Sequence, residues 1–286
     1  MVQDRNVERK KIEKFIRRMP SLSTTVGKVM EICSRTDASP NELNKVISLD
    51  PVLTGQVLKL INSSYYSLVN KVTSLTRAIT MLGMNTVKNI ALSTAIIRTV
   101  SGSKKSRVLP TTKFWAHSIG AGVSAKLLGE AKGLSLMERE ELFLAGLLHD
   151  LGKVPFGDEY IDVLNMAKRK QLPLINVERE LLGIDHLEIG GMIAEKWKLN
   201  KVISECISNH HGAENLSGEI GQKVALVALG NIYTNIMEHG YAGDPFPAEE
   251  EVDILLKFVG LSWESFGTIG ARVEEEIHRA EIFLQI

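Results

Sequence analysis

Helix-start signals recur throughout this 286-residue chain. Ser39-Pro40-Asn41-Glu42 and Ser135-Leu136-Met137-Glu138 each set a hydroxyl three residues ahead of a Glu, the spacing of a capping box, and Asp185 and Glu188 share that spacing. Pro40 and Pro51 suit the first position of a helix, and Asp50 can cap the helix that Pro51 begins. Apolar residues follow these signals at helical intervals. Leu43, Val46 and Ile47 trail the first, and Leu53, Val57, Leu58, Leu60 and Ile61 trail Pro51. Ser74 opens a short helix through Leu82 that Gly83 can close. Asn85 can cap the next helix, through Ile97, and Asn200 one through Ile207. Further helices are expected over Thr112 to about Glu130, Val224–Ile236, Glu249–Val259 and Val273–Phe283. No segment shows strand alternation and no repeat has a fixed period. The sequence reads as an all-α, two-lobed protein of about 12 to 15 helices.

Composition narrows the class. At 44% hydrophobic and 24% charged residues the chain matches ordinary globular proteins and not disordered ones. Its 34 basic and 34 acidic residues cancel, so no bulk positive field exists to hold nucleic acid or an anionic membrane. No apolar run approaches the ~20 residues needed to cross a bilayer. The opening MVQDRNVERKKIEKF lacks the apolar stretch of a signal peptide, and two cysteines, Cys33 and Cys206, are too few for a disulfide framework. A cytoplasmic protein with reduced thiols is expected, without a membrane or specific nucleic-acid partner. The polar, basic stretch from Ser101 to Arg107 divides the chain into lobes 1–108 and 109–286. Lys104 and Lys105 with Arg98 and Arg107 read as a solvated linker, and Tyr65-Tyr66 as packing residues.

The helix Leu142-Phe-Leu-Ala-Gly-Leu-Leu148 is almost wholly apolar and should be buried, yet it ends in His149-Asp150. A buried, ionised carboxylate needs a cation or strong donors. A divalent metal meets that need, and imidazole with carboxylate suits Fe, Mn, Zn or Ni. An Asp that caps a turn beside a His bonded to a carbonyl is the competing account.

Other histidines favour the metal. His117 lies 32 positions earlier on an amphipathic helix, sharing a face with Phe114 and Ala121. His186 lies in the first turn of the Asp185-capped helix, where the helix dipole favours neutral, metal-binding imidazole. His210-His211 follow at a helix end beside Gly212. Taken singly, each is more simply a core or surface histidine; together they suggest a shared site. His239 and His278 have no sequence partners and read as surface residues. No Walker-type phosphate loop and no Gly-x-Ser-x-Gly elbow is present.

The ordered set His117, His149-Asp150 with Gly152-Lys153, His186 and His210-His211 resembles the HD superfamily of metal-dependent phosphohydrolases, and within it the HD-GYP branch. The resemblance implies that His117, His149 and Asp150 ligate one ion, with Asp150 bridging, and that His186, His210 and His211 ligate a second. It also implies that Lys153 faces a substrate phosphate. Two divalent ions are implied, with Fe or Mn favoured and Ni or Zn compatible. In the segment Val224–Asn231, Asn231 stands where that pattern has an Asp, so the first ion would be held less tightly. Gly212-Ala213-Glu214-Asn215 lacks the GYP signature, which removes the case for cyclic di-GMP.

The first lobe is similar to the HDOD domain. The likeness rests on Met19-Pro20-Ser21-Leu22, Asp50-Pro51-Val52-Leu53, Leu58 to Ser63, Tyr65-Tyr66 and Ser74 to Gly83, continuing into Phe114-Trp115-Ala116-His117-Ser118. It extends from about Phe15 to about Tyr233. It implies a bacterial signalling output module with partner proteins. Two readings follow. In one the chain is a regulatory module carrying an HD-type metal site. In the other it is a metal-dependent phosphohydrolase with Asp150 and Lys153 as catalytic residues and a phosphate-containing ligand.

Overall fold

The computed structural model describes residues 2–101, 108–212, 216–244 and 249–285. Among these residues the chain forms sixteen α-helices and no strand. In order they are α1 (Val2–Arg18), α2 (Thr24–Ser34), α3 (Pro40–Ile47), α4 (Pro51–Ile61), α5 (Leu75–Leu82), α6 (Met84–Ser101), α7 (Thr111–Ala131), α8 (Leu136–Leu148), α9 (Tyr160–Lys170), α10 (Leu174–Leu182), α11 (His186–Lys196), α12 (Lys201–Asn209), α13 (Gly218–Ile236), α14 (Glu249–Val259), α15 (Trp263–Thr268) and α16 (Gly270–Ala280). Short 3-10 segments cover Leu151–Lys153 and Glu281–Gln285. No helix of the described residues is long and apolar enough to cross a membrane.

The caps account for most of these boundaries. Ser39 Oγ accepts the Glu42 backbone N–H at 3.3 Å, and Glu42 returns a carboxylate oxygen to the Ser39 N–H at 3.0 Å. Ser135 and Glu138 do the same at the head of α8. At α11 only half the box forms. Asp185 accepts from the Glu188 N–H at 2.8 Å, while the Glu188 side chain pairs with Arg9 instead. Asn85 does not cap α6, which begins one residue earlier at Met84.

The described chain forms two compact units, each discontinuous in sequence: 1–19 with 105–273, and 20–104 with 274–286. A single cut at 108/109 does not describe this division, because both ends of the chain cross over. The first helix, α1, packs on α10 and α11, where Arg9 pairs with Glu188 and Lys196 Nζ donates to the carbonyls of Ile16 (2.7 Å) and Arg17 (2.9 Å). At the other end Phe283 meets Tyr65 edge-on at 5.6 Å, and Tyr65 meets Tyr66 likewise at 4.9 Å, so this tyrosine pair packs inside the smaller unit. Most of the expected linker, residues 102–107, lies outside the described residues.

The larger unit is built on α7, α8 and α13. Leu142, Leu144, Leu147 and Leu148 of α8 are fully or almost fully buried, each worth ~1.5–3 kcal/mol of apolar burial. That stabilisation lets α8 carry a polar cluster at its C-terminal end. The crossing of α7 and α8 is close: a Cβ on Gly146 would stand 2.6 Å from Gly122 Cα. Only glycine fits there, and the approach brings His117 on α7 up to His149.

Candidate metal centre

Five histidines and one aspartate converge at the C-terminal end of α8. His149 is the C-cap that follows α8, and Asp150 immediately precedes the 3-10 turn Leu151–Lys153. His117 comes from the middle of α7, His186 from the first position of α11, and His210-His211 from the end of α12. His117, His149, Asp150, His186 and His210 are all at most 1% exposed. Ring centroids of adjacent pairs lie 4.5–5.4 Å apart from His117 through His149 and His210 to His186 and His211.

The turn after Asp150 must press against α11 to achieve this. A Cβ on Gly152 would overlap the His186 carbonyl oxygen and stand 2.7 Å from the Gly190 backbone nitrogen. Glycine at 152 is therefore what seats Asp150 beside His186.

Asp150 is the centre of the arrangement. Its Oδ2 faces His149 Nε2 at 3.3 Å and His117 Nε2 at 3.7 Å; its Oδ1 faces His186 Nε2 and His210 Nε2, each at 3.6 Å. Two groups of potential ligand atoms result, each within 4.8 Å of one another: His117, His149 and Asp150, and His186, His210 and His211. Ligands ~2.1 Å from one ion stand about 3.0 Å apart at a right angle and about 3.4 Å at the tetrahedral angle. The Asp150–imidazole separations, 3.3–3.7 Å, lie at or slightly beyond these values.

The opposite ring nitrogens fix the tautomers. His149 Nδ1 donates to the Gly146 carbonyl at 2.6 Å, and His210 Nδ1 to the Cys206 carbonyl at 3.0 Å. Glu178, on α10, accepts the His186 backbone N–H at 3.0 Å and its Nδ1–H at 2.6 Å, and also takes the Tyr160 hydroxyl. A carbonyl oxygen or carboxylate can only accept, so in the neutral rings the proton sits on Nδ1 and Nε2 presents a lone pair. These Nε2 atoms, those of His117 and His211, and Asp150 Oδ1 have no hydrogen-bond partner. Lone pairs aimed at a buried carboxylate repel unless a cation lies between them.

Electrostatics agree. Burial, with His149 beside it, pushes the His117 imidazole down to about 3; burial does the same to His210, and holds His211 well below its ordinary value. These imidazoles are neutral and ready to ligate. Burial alone would raise the Asp150 carboxyl, but the charges and hydrogen bonds around it, the buried Lys153 ammonium among them, outweigh it and hold it well below the usual carboxylate range.

The six imidazole and carboxylate side chains expected to share a site thus come together, and Lys153 and Asn231 lie beside them. Lys153 is buried and paired with Asp150 Oδ2 at 2.8 Å, where the resemblance had it facing a phosphate. Asn231, on α13, lies against His117 and accepts from the Asn235 amide at 3.2 Å. His278 is exposed as expected, at 85% for its side chain. His239, read as a surface residue, is half-buried and lines a cavity of about 320 Å³ with Lys113, Asn235, Tyr241 and Asp244.

Glu178 and Asp244 escaped the sequence reading. Glu178 is fully buried on a helix without a recognisable start signal. Asp244 lies in the loop after α13, with Oδ2 at 3.3 Å from His211 Nε2 and Oδ1 accepting the Leu174 N–H at 3.4 Å. Burial pushes its carboxyl up. Its sequence neighbourhood carries no metal-ligand spacing that would have marked it.

The HDOD domain matches residues 19–213, about two thirds of the chain. The chain belongs to the HDOD domain family. Its fold is similar to that of an HDOD domain protein of unknown function from Geobacter sulfurreducens, with a TM-score of 0.76, 25% identity and 97% of each chain covered. An uncharacterised protein of Treponema pallidum is 22% identical over 224 residues, covering 77% of this HDOD chain and 43% of that protein. Ribonuclease Y of Mycoplasma mycoides subsp. mycoides is 28% identical over 146 residues, half of this chain and 24% of the enzyme. The HDOD chain therefore spans less than half the length of the curated relatives it matches. The family match does not confirm the HD-GYP likeness of the ligand order.

Proposed function

We propose that this HDOD chain is a regulatory module of signal transduction that holds divalent metal, two ions when fully loaded, in the His/Asp centre and acts through partner proteins. The observation that carries the metal is the set of Nε2 lone pairs on His149, His186 and His210, all turned towards one buried carboxylate. Asp150 bridges the two groups, one oxygen to each. His117 and His149 complete the first group, with the neutral Asn231 amide beside them. His186, His210 and His211 complete the second. Fe or Mn suits the mixture of imidazole and carboxylate, and Ni or Zn is compatible. Asn231 in place of a carboxylate lowers the negative charge available to the first ion, which favours a structural or ligand-sensing role.

A second reading is a metal-dependent phosphohydrolase. A cavity of about 320 Å³ lined by Asp244, whose carboxylate stands 3.3 Å from His211 Nε2, favours it, as does the likeness to a ribonuclease over half the chain. Divalent ions bound here would polarise a phosphate and lower the pKa of a water. The chain's own contribution would be to keep Asp150 ionised through Lys153, to hold the His117, His210 and His211 imidazoles neutral, and to exclude bulk water by burial.

The two readings separate on turnover. Purified protein loaded with Mn(II) or Fe(II) is assayed against phosphodiester and nucleotide substrates, beside Asp150→Ala. The regulatory reading expects bound metal without sustained turnover. Sustained turnover that Asp150→Ala abolishes would establish the second reading instead.

A further inference from the structure

We infer that Asp244 is a carboxylate ligand of the second ion, supplied by the loop after α13. The inference rests on the proposal that the centre holds metal, and it adds a residue outside the expected ligand set.

The second group, His186, His210 and His211, is rich in donors and poor in charge. Its three histidines bring no negative charge, and its share of negative charge is the Asp150 oxygen Oδ1, from a carboxylate that the first group and Lys153 already use. Two dications facing a single ligating carboxylate, with the charges of Lys153 and of Glu178 behind His186 offsetting one another, leave three net positive charges in a buried site, an arrangement that needs another anion. On the first group's side, α13 offers the neutral Asn231. Asp244 is the acidic side chain found at the other side. Its Oδ2 stands 3.3 Å from His211 Nε2, between the separations expected for ligands at octahedral and tetrahedral angles around a shared ion.

The local hydrogen bonding agrees. His211 Nε2 is buried without a hydrogen-bond partner, although a carboxylate oxygen lies 3.3 Å from it. A nitrogen donating to Asp244 would be satisfied; one sharing a cation with it would look as this one does. Meanwhile Oδ1 is tied to the Leu174 N–H at the head of α10, which leaves Oδ2 for the site. Asp244 also lines the cavity of about 320 Å³. The side chains of His211 and Asp244, 13% and 11% exposed, are the least enclosed of the group. An ion held between them would thus be the one reached from that cavity, and the one able to meet an anionic ligand.

Asp244→Asn tests this. The amide keeps the size of the side chain and an oxygen for the Leu174 N–H, but loses the charge. Mn(II) binding to metal-free wild type and to the variant is measured by calorimetry, with thermal melting in chelator as a check on folding. Crystals of Mn(II)-loaded wild type are examined by anomalous scattering. The expected results are an ion within about 2.3 Å of the Asp244 carboxylate and second-ion affinity at least about tenfold weaker in the variant, with metal-free melting unchanged. Should Asp244→Asn melt early, Asp244→Glu, which restores the charge, should recover the second ion. An ion more than about 3 Å from Asp244, or unaltered affinity in Asp244→Asn, overturns the inference alone and leaves the metal centre standing. Wild-type protein that takes up no Mn(II) overturns both.

Discussion

Glu178 accepts two hydrogens from His186, one from the backbone nitrogen at 3.0 Å and one from ring Nδ1 at 2.6 Å. A residue eight positions upstream, on a different helix, thereby decides which ring nitrogen of His186 faces Asp150. Carboxylates placed behind ligating histidines raise the basicity of the ring and fix its orientation. Glu178→Gln keeps the shape and removes the charge. Metal affinity should fall about 10- to 100-fold with the fold retained. Isothermal titration with Mn(II) checks this, and unchanged affinity would show that Glu178 does not tune the site.

Gly152 gives a steric prediction. Any side chain there meets the His186 carbonyl and the Gly190 backbone, neither of which can rotate away. Gly152→Ala should cost about 3 kcal/mol or more, or prevent soluble expression. Gly27, with open space around its Cβ position, is the control, and Gly27→Ala should be tolerated. Chemical denaturation of the two variants reads the difference.

Asp150 and Lys153 form a buried ion pair at 2.8 Å, so their substitutions should not be additive. Asp150→Ala strands the Lys153 ammonium and should destabilise the metal-free protein by about 3–5 kcal/mol. Adding Lys153→Met removes the stranded charge and should recover much of that loss. Metal binding should stay absent in the double variant. Equal destabilisation of the single and double variants would contradict the pairing.

Acid should weaken the metal-free protein well above the carboxylate range. His117 and His210 titrate at about 3 in the folded chain, and His211 is also shifted well down, whereas unfolded histidines titrate near ~6.5. Between these limits the unfolded chain binds protons that the native chain refuses. The stability these groups provide is therefore complete above about pH 6.5 and declines as the pH falls through that window. Asp150 adds a loss in the same direction below about pH 4. Urea midpoints in chelator from pH 8 to pH 4 should fall steadily below pH 6.5. A flat profile would mean that the imidazoles are accessible to protons in the native state.

The helical architecture and the six side chains that converge at the candidate centre were legible in the sequence because both write local signals. Ser39, Asp50, Ser135 and Asn200 cap where their spacing says they should, and His149-Asp150 marks itself by ending an apolar run. Contacts set by tertiary packing left no such trace. Glu178 sits in the helix Leu174–Leu182, whose N-terminal residue, Pro173, makes no side-chain cap, and its pairing with His186 depends on how α10 meets α11. Asp244 belongs to a loop, where no period marks the facing side chain. The exchange of chain ends between the two units is invisible for the same reason: Arg9 and Glu188 lie 179 positions apart.

The central claim is that the His/Asp centre binds divalent metal. Elemental analysis of protein stripped with chelator, reloaded with Mn(II) or Fe(II) and desalted measures it directly, with His149→Ala alongside. The account predicts about two ions per wild-type chain and clear loss of the first-group ion in the variant. Wild-type protein that retains no stoichiometric metal, with His149→Ala indistinguishable from it, would contradict the account.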